Sequence, residues 1–135
     1  MEIFSEESFV QTFIREGRRE RLLHELTSPK KRYRGLDRFC HRSGDLVDPR
    51  RILAEGENLE TTPEFLSFVK KHNGLCTVWS PDGNLDGLVL PFEDAVMEAS
   101  VNADAVIIMG GDYAVVFGEA MKGGRDKYLL SVDAW

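Results

Sequence analysis

The pattern of apolar residues changes along the chain from helical spacing to strand-like runs. A first helix up to about Leu26, capped by Ser5 or Ser8, is predicted from apolar side chains at helical spacing. These are Phe9, Val10, Phe13, Ile14, Leu22, Leu23 and Leu26. Gly17 falls on this apolar stripe. A glycine there predicts either a close helix crossing or a break in the helix.

Two further helices are predicted from their start and stop signals. Ser28-Pro29 places a capping residue before a proline, and Ser43-Gly44 ends the helix that follows. A third helix is predicted from Thr62-Pro63 to Asn73-Gly74. A similar Asp-Pro signal predicts a short helical turn over Arg50–Ala54.

The second half of the chain has the pattern ββαβββ. The predicted elements are strands at Leu75–Ser80 and Leu85–Leu90, a helix from Pro91 to about Val101, and strands at Ala105–Met109, Tyr113–Phe117 and Lys127–Val132. The two strands that flank Gly110-Gly111-Asp112 are apolar at nearly every position, so both faces of this hairpin are expected to be covered. We therefore predict one α+β domain over residues 1–135, with a mostly antiparallel sheet of about five strands and helices packed on it.

Composition supports a globular protein without a membrane segment. Of the 135 residues, 42% are apolar and 30% are charged, which is ordinary for a folded domain. No apolar run approaches the ~18 residues of a membrane span, and the acidic N-terminus lacks the features of a signal peptide. A cytoplasmic location is expected, with Cys40 and Cys76 as reduced, buried thiols.

Charge is unevenly distributed along the chain. Residues 1–51 contain 12 of the 17 Lys and Arg and 9 acids, a balance of +3. Residues 52–135 contain 5 basic and 14 acidic residues, a balance of −9. This asymmetry points to a basic surface on the helical half of the protein.

The second helix has a row of cations that we call the basic ridge. It consists of Lys30, Lys31, Arg34, Arg38 and Arg42, while Tyr33, Leu36, Phe39 and Cys40 are predicted to face the core. Like charges four residues apart destabilise a helix by ~0.2–0.5 kcal/mol per pair, so a negative neighbour is expected. That neighbour is the acidic half of the same chain, nucleic acid or another phosphate, or an acidic protein. The alternative is a solvated face without a partner, which is typical of charge runs. The pI of 5.1 disfavours nucleic acid.

A second candidate is a polar site formed by His41, Asp48, Arg50 and Asp86. There, arginine would contact an anion, and His41 or a carboxylate would act as acid or base. The neighbouring Cys40 and His41 diverge by about 100° on a helix, which disfavours a catalytic Cys–His pair. The sequence contains no CxxC, HExxH, EF-hand or phosphate-loop motif, so neither a metal nor a cofactor is expected.

Several stretches of the chain resemble a set of small, uncharacterised bacterial proteins. The stretches are SPKKRYRGLDRFCHRSGDLVDPR, LCTVWSPDGNLDGLVLP, DYAVVFGE and KYLL, within about residues 28–130. The matching positions are Lys31, Arg32, His41, Asp48, Arg50, Cys76, Leu85, Asp86, Gly87, Glu119, Tyr128 and Leu130. The set has no established activity, so no catalytic role can be assigned to these residues from the resemblance.

These observations favour a non-catalytic binding or regulatory module that acts through a protein partner or through self-association. An immunity-type or other small inhibitor protein fits this description. The alternative is an enzyme that acts on a phosphorylated or anionic small molecule. Its anion contacts would be Arg38, Arg42 and Arg50, and its acid or base would be His41, Asp48 or Asp86. This hypothesis requires those residues to converge in one pocket. A nucleic-acid binder is the third hypothesis.

Overall fold

Helices form both outer layers of the fold, and an antiparallel sheet lies between them. The computed structural model describes residues 5–72, 74–101, 104–109, 112–121 and 124–133. The helices are α1 Glu6–Phe13, α2 Arg19–Thr27, α3 Arg32–His41, α4 Ser43–Leu46, α5 Pro63–Lys71 and α6 Phe92–Val101, with 3₁₀ turns at Glu16–Arg18, Pro49–Arg51 and Leu59–Thr61. The strands are β1 Ile52–Glu55, β2 Leu75–Trp79, β3 Val89–Pro91, β4 Ala105–Met109, β5 Tyr113–Met121 and β6 Gly124–Ser131.

The sheet contains six strands in the order β1-β6-β5-β4-β2-β3, and every neighbouring pair is antiparallel. The predicted α+β class, with a helical N-terminal half and a mostly antiparallel sheet, is confirmed. The predicted hairpin is formed by β4 and β5, which pair from Ala105↔Phe117 to Met109↔Tyr113. Gly110 and Gly111 of its turn, Asn73 at the end of α5, and the Lys122-Gly123 turn lie outside the described residues.

Both faces of the central hairpin are covered, as its apolar pattern predicts. All five residues of β4 are buried. Val106 and Ile108 face a core shared with α1, α2 and α3, whereas Ala105, Ile107 and Met109 face a core shared with α5 and α6. The sheet therefore separates two apolar cores.

The first predicted helix is interrupted, and the interruption lies before Gly17. Backbone at Ile14 is extended, with φ −103° and ψ 142°, and Ile14 forms an isolated bridge with Val47. Nothing lies within 4 Å of a Cβ built on Gly17, so this glycine is not at a close crossing. It lies in the 3₁₀ turn Glu16–Arg18 that follows the break. The close crossing is at Gly35, where a Cβ would lie 2.7 Å from the Cβ of Glu25.

Three element boundaries differ from the prediction because turns form where regular structure is expected. Ser28 closes α2, and α3 begins only at Arg32, whose N–H donates to the Ser28 carbonyl oxygen. The predicted helical turn over Arg50–Ala54 is limited to Pro49–Arg51, after which pairing with β6 produces β1. The predicted strand Leu85–Leu90 is mostly a turn, because the N–H groups of Leu85 and Asp86 both bond to the Asp82 carbonyl.

The two cysteines lie in different cores on opposite faces of the sheet. Cys40 belongs to the core beneath α1–α3, and Cys76 belongs to the core beneath α5 and α6. Both thiols are buried, and neither is part of a disulfide. Because the sheet lies between them, they cannot form a disulfide with each other.

Candidate functional site

Arg38, a member of the basic ridge, points toward the protein and not toward solvent. Its guanidinium donates from Nε to Glu25 Oε1 at 3.1 Å, and its Nη2 contacts the same oxygen. Glu25 is only 5% exposed and packs against Gly35. This ion pair therefore links α3 to α2. The acidic residue that neutralises Arg38 lies in the basic N-terminal half of the chain and not in the acidic second half.

Arg32, which the basic ridge did not include, joins four parts of the fold. Its Nε and Nη2 donate to the two carboxylate oxygens of Asp86 at 2.7 and 3.0 Å. Its Nη1 donates to Glu6 Oε2 at 2.6 Å and to the Leu26 carbonyl at 3.1 Å, and the guanidinium lies 5.8 Å from the centre of a Trp79 ring. The hydrogen bonds that Arg32 donates to the Asp86 carboxylate raise the pKa of Arg32 against the effect of burial. The N-terminus of α3 is thereby tied to α1, α2 and the β2–β3 turn.

The remaining cations near the start of α3 stay in solvent. Lys30, Lys31 and Arg34 are exposed and form no ion pair among the described residues. Tyr33, predicted to be buried, is 66% exposed beside them, because the buried stripe of α3 runs through Gly35, Leu36, Phe39 and Cys40. We call Lys30, Lys31, Tyr33 and Arg34 the α3 surface. Arg42 is also exposed but lies beyond the other end of the helix, so the basic ridge is not one continuous row.

The four residues of the predicted polar site do not meet in one place. Asp86 binds Arg32 at the start of α3, whereas His41 is the last residue of that helix. His41 is nine positions after Arg32 in the helix, which is about 14 Å along the axis. Asp48 and Arg50 form a separate pair, with Arg50 Nη2 donating to Asp48 Oδ2 at 2.9 Å.

The Asp48–Arg50 pair has a local structural role. Asp48 is 4% exposed, and its carboxylate accepts from the Arg50 backbone N–H at 3.0 Å, which caps the Pro49–Arg51 turn. Hydrogen bonds from the Arg50 side chain lower the pKa of Asp48 against the effect of burial. The carboxylate is therefore held in its ionised form beneath an exposed guanidinium.

A second surface, which the sequence analysis did not identify, lies between α5 and one corner of the sheet. We call this depression of about 230 Å³ the α5 groove. Its lining residues are Leu53, Glu64, Ser67, Phe68, Lys71, His72, Tyr113, Ser131 and Asp133. The imidazole of His72 lies 4.6 Å from the Phe68 ring and 4.5 Å from the Tyr113 ring, measured between centroids. Three contacting rings thus form one wall.

The helical period alone could have suggested part of this groove. Glu64, Phe68, Lys71 and His72 recur at spacings of four, three and one, so they share one side of α5. The other wall comes from β1, β5 and the end of β6, which the chain brings there from positions far away in sequence. No local pattern connects these segments.

A partly buried ion pair was also missed. Lys127 Nζ on β6 lies 3.0 Å from both carboxylate oxygens of Glu60, and the Ser100 hydroxyl donates to Glu60 as well. Burial would raise the pKa of Glu60, but hydrogen bonds from its backbone and from Lys127 outweigh that effect and lower it. The pair joins β6 to the turn before α5 and to α6.

Comparison with known proteins does not reveal a relative: no protein-family model matches the chain, and no curated protein or solved structure shows significant similarity to it. Within the described ranges, no group of three or more His, Cys, Asp or Glu side chains could hold a metal ion. None of the helices in those ranges combines the length and apolar character needed to cross a membrane.

Proposed function

We propose that the protein is a non-catalytic binding module, and that the α3 surface recognises an acidic surface of a partner protein. The observation that carries the proposal is the group of exposed cations around an exposed tyrosine, none of which has an ion-pair partner among the described residues. A small cytoplasmic inhibitor of the immunity type would use such a surface. The same proposal includes that the protein is bacterial.

The location of these cations is energetically unfavourable for the isolated protein. The first turn of α3 contains no acidic residue, and the N-cap residue Lys31 makes no side-chain capping bond. A helix N-terminus has a partial positive charge, so each cation there costs about 0.3–1 kcal/mol at low ionic strength. An acidic partner would relieve this repulsion. Arg32 escapes it through Asp86 and Glu6, but Arg34 and the two lysines do not.

A protein partner accounts for this surface better than nucleic acid does. Tyrosine and arginine are enriched among the residues that dominate protein–protein binding energy. Nucleic acid favours a continuous basic footprint. Here the exposed cations of α3 are interrupted by the internally paired Arg38, and the net charge of the chain is −6.

The enzyme alternative gains no support from the site geometry. Its acid–base candidates His41 and Asp86 lie at opposite ends of α3, and the Asp86 carboxylate already accepts hydrogen bonds from Arg32 and from the Ser80 backbone N–H. A general acid or base needs to reach the reacting group within hydrogen-bond distance. These positions do not offer one shared pocket for substrate.

The proposal is tested with Lys30→Glu/Arg34→Glu, which reverses two charges of the α3 surface without touching Arg32 or Arg38. The matched control is Arg18→Glu/Lys70→Glu, which reverses two exposed charges elsewhere. Proteins captured from the source cell by the wild type would be purified, and their affinity for each variant measured by calorimetry. We expect the α3 double variant to bind at least tenfold more weakly and the control to match the wild type.

Three outcomes would contradict the proposal. One is unchanged binding by the α3 double variant, and another is equal weakening by the control, which would indicate a nonspecific charge effect. The third is a gel shift with nucleic acid at low salt that the α3 substitutions abolish. Sedimentation of the purified chain distinguishes self-association from binding to a different protein.

A further inference from the structure

The α5 groove contains opposite charges that do not pair with each other. Glu64 and Lys71, both exposed, line it from α5, and Asp133 lines it from beyond β6. None of the three forms an ion pair within 4.0 Å among the residues that the structure describes. Each charge therefore remains available to a ligand.

The wall between these charges is aromatic and polar. Tyr113 and His72 are partly exposed and in ring contact, and neither side chain has a hydrogen-bond partner in the described part of the chain. The Ser131 hydroxyl, which is 3% exposed, accepts from the Asp133 backbone N–H at 3.0 Å. The groove thus combines an apolar wall with a few convergent polar groups, which is the composition of small-molecule sites.

We propose that the α5 groove binds a small zwitterion of amino-acid size with an apolar side chain. Its carboxylate lies at Lys71 and His72, its ammonium group lies at Glu64 and Asp133, and its side chain packs on the aromatic wall. The role is independent of partner binding by the α3 surface, which lies on the other side of the sheet.

The charge balance selects a zwitterion over a simple ion. A phosphate or other anion would meet the carboxylates of Glu64 and Asp133 as well as Lys71. A metal cation would meet Lys71, and the described residues contain no cluster of three ligating side chains. A ligand that carries both charges satisfies both sets of groups.

The volume of the α5 groove matches a ligand of amino-acid size. A space of about 230 Å³ equals roughly eight water molecules at ~30 Å³ each. It falls below the ~300 Å³ at which pockets for drug-sized ligands begin. An amino acid of about a dozen non-hydrogen atoms fits this range.

The test is an NMR titration of the full ¹⁵N-labelled chain with three probes. L-phenylalanine has both charges, L-phenylalanine amide lacks the carboxylate, and N-acetyl-L-phenylalanine lacks the ammonium group. We expect L-phenylalanine to shift the amide signals of Ser67, His72, Tyr113 and Ser131, and each single-charge analogue to bind roughly tenfold more weakly.

Matched variants separate a direct contact from a change in folding. Lys71→Gln should weaken the binding of L-phenylalanine about tenfold, so that L-phenylalanine and its amide bind with equal affinity. Lys70→Gln, one residue away and outside the groove, should leave both affinities unchanged. Glu64→Gln should remove the difference in affinity between L-phenylalanine and N-acetyl-L-phenylalanine. Its control is Glu93→Gln, because Glu93 also lies in the first turn of a helix.

The proposal is overturned if L-phenylalanine at about 10 mM shifts no groove signal, since even a weak ligand of this size should bind at that concentration. Equal affinity of the wild type for all three probes would also overturn it, because the charges would then have no role. Signal changes confined to the α3 surface would overturn it as well, because the ligand would then bind at the surface proposed for the protein partner.

Discussion

Replacing Arg32 with methionine should lower the free energy of unfolding by about 2 to 3 kcal/mol. The substitution keeps an apolar stem but removes the bonds to Asp86, Glu6 and the Leu26 carbonyl. The side chains of Arg32, Asp86 and Glu6 are 22%, 23% and 27% exposed, respectively. Their contribution should therefore lie between the 0–1 kcal/mol of exposed pairs and the 3–5 kcal/mol lost when a buried pair is broken.

Urea denaturation measures this change directly. Trp79 lies beneath the guanidinium of Arg32, so its fluorescence should report the loss of this contact as well as global unfolding. Arg34→Met is the matched control, because Arg34 is on the same helix but exposed and without an ion pair among the described residues. We expect the control to change stability by less than about 0.5 kcal/mol.

A double-mutant cycle isolates the contact between Arg32 and Asp86. The cycle compares Arg32→Met, Asp86→Asn and the double variant, so that the loss of the bond from the Ser80 N–H to Asp86 cancels. We expect a coupling energy of about 1–2 kcal/mol, typical of hydrogen bonds to charged groups. A coupling energy below about 0.5 kcal/mol, or equal effects of Arg32→Met and Arg34→Met, would refute the role of Arg32 as a structural hub.

Three other substitutions or treatments test the fold. Gly118→Ala should destabilise the protein by about 1–3 kcal/mol in urea, because its Cβ would lie 2.8 Å from the Asp126 carbonyl oxygen; an unchanged midpoint would contradict this packing. Asp48 has a lowered pKa beside Arg50, so its stabilising effect is present above its ordinary pKa of 3.8 and is lost as pH falls through the lower folded value. Asp48→Asn should therefore flatten the loss of stability below about pH 4, and parallel curves would argue against the pair. Burial raises the pKa of the Cys76 thiol to about 11, so a thiol reagent at pH 8 should label it only after unfolding, and rapid native labelling would contradict its burial.

Local patterns in the sequence were sufficient to predict the central elements. The continuous apolar runs Ala105–Met109 and Tyr113–Phe117 predicted strands covered on both faces, since a strand exposed on one face alternates with polar residues. Thr62-Pro63 predicts the start of α5, since threonine is a favoured capping residue. In the structure the Thr62 hydroxyl accepts a hydrogen bond from the Phe65 N–H. In both cases the signal and its structural effect lie within a few residues.

Features set by distant residues could not be predicted in this way. Arg32 and Asp86 are 54 positions apart, and nothing near Arg32 distinguishes it from the exposed Arg34. Tyr33 fits the apolar side of α3 by spacing, but the crossing with α2 at Gly35 sets the rotation of the helix and leaves Tyr33 in solvent. The α5 groove likewise depends on segments that meet only in the folded chain.

The internal ion pairs explain how an unfavourable group of cations can persist on α3. Arg32 and Arg38 fasten the two ends of the helix through Asp86, Glu6 and Glu25, so the position of α3 does not depend on Lys30 or Arg34. Those two residues can therefore be changed with little effect on the fold. The α5 groove lies across a sheet whose central strand is buried on both faces, and it shares no described contact with the α3 surface. Substitutions at sites this far apart are expected to act additively, so a variant that loses one of the two proposed binding functions should keep the other.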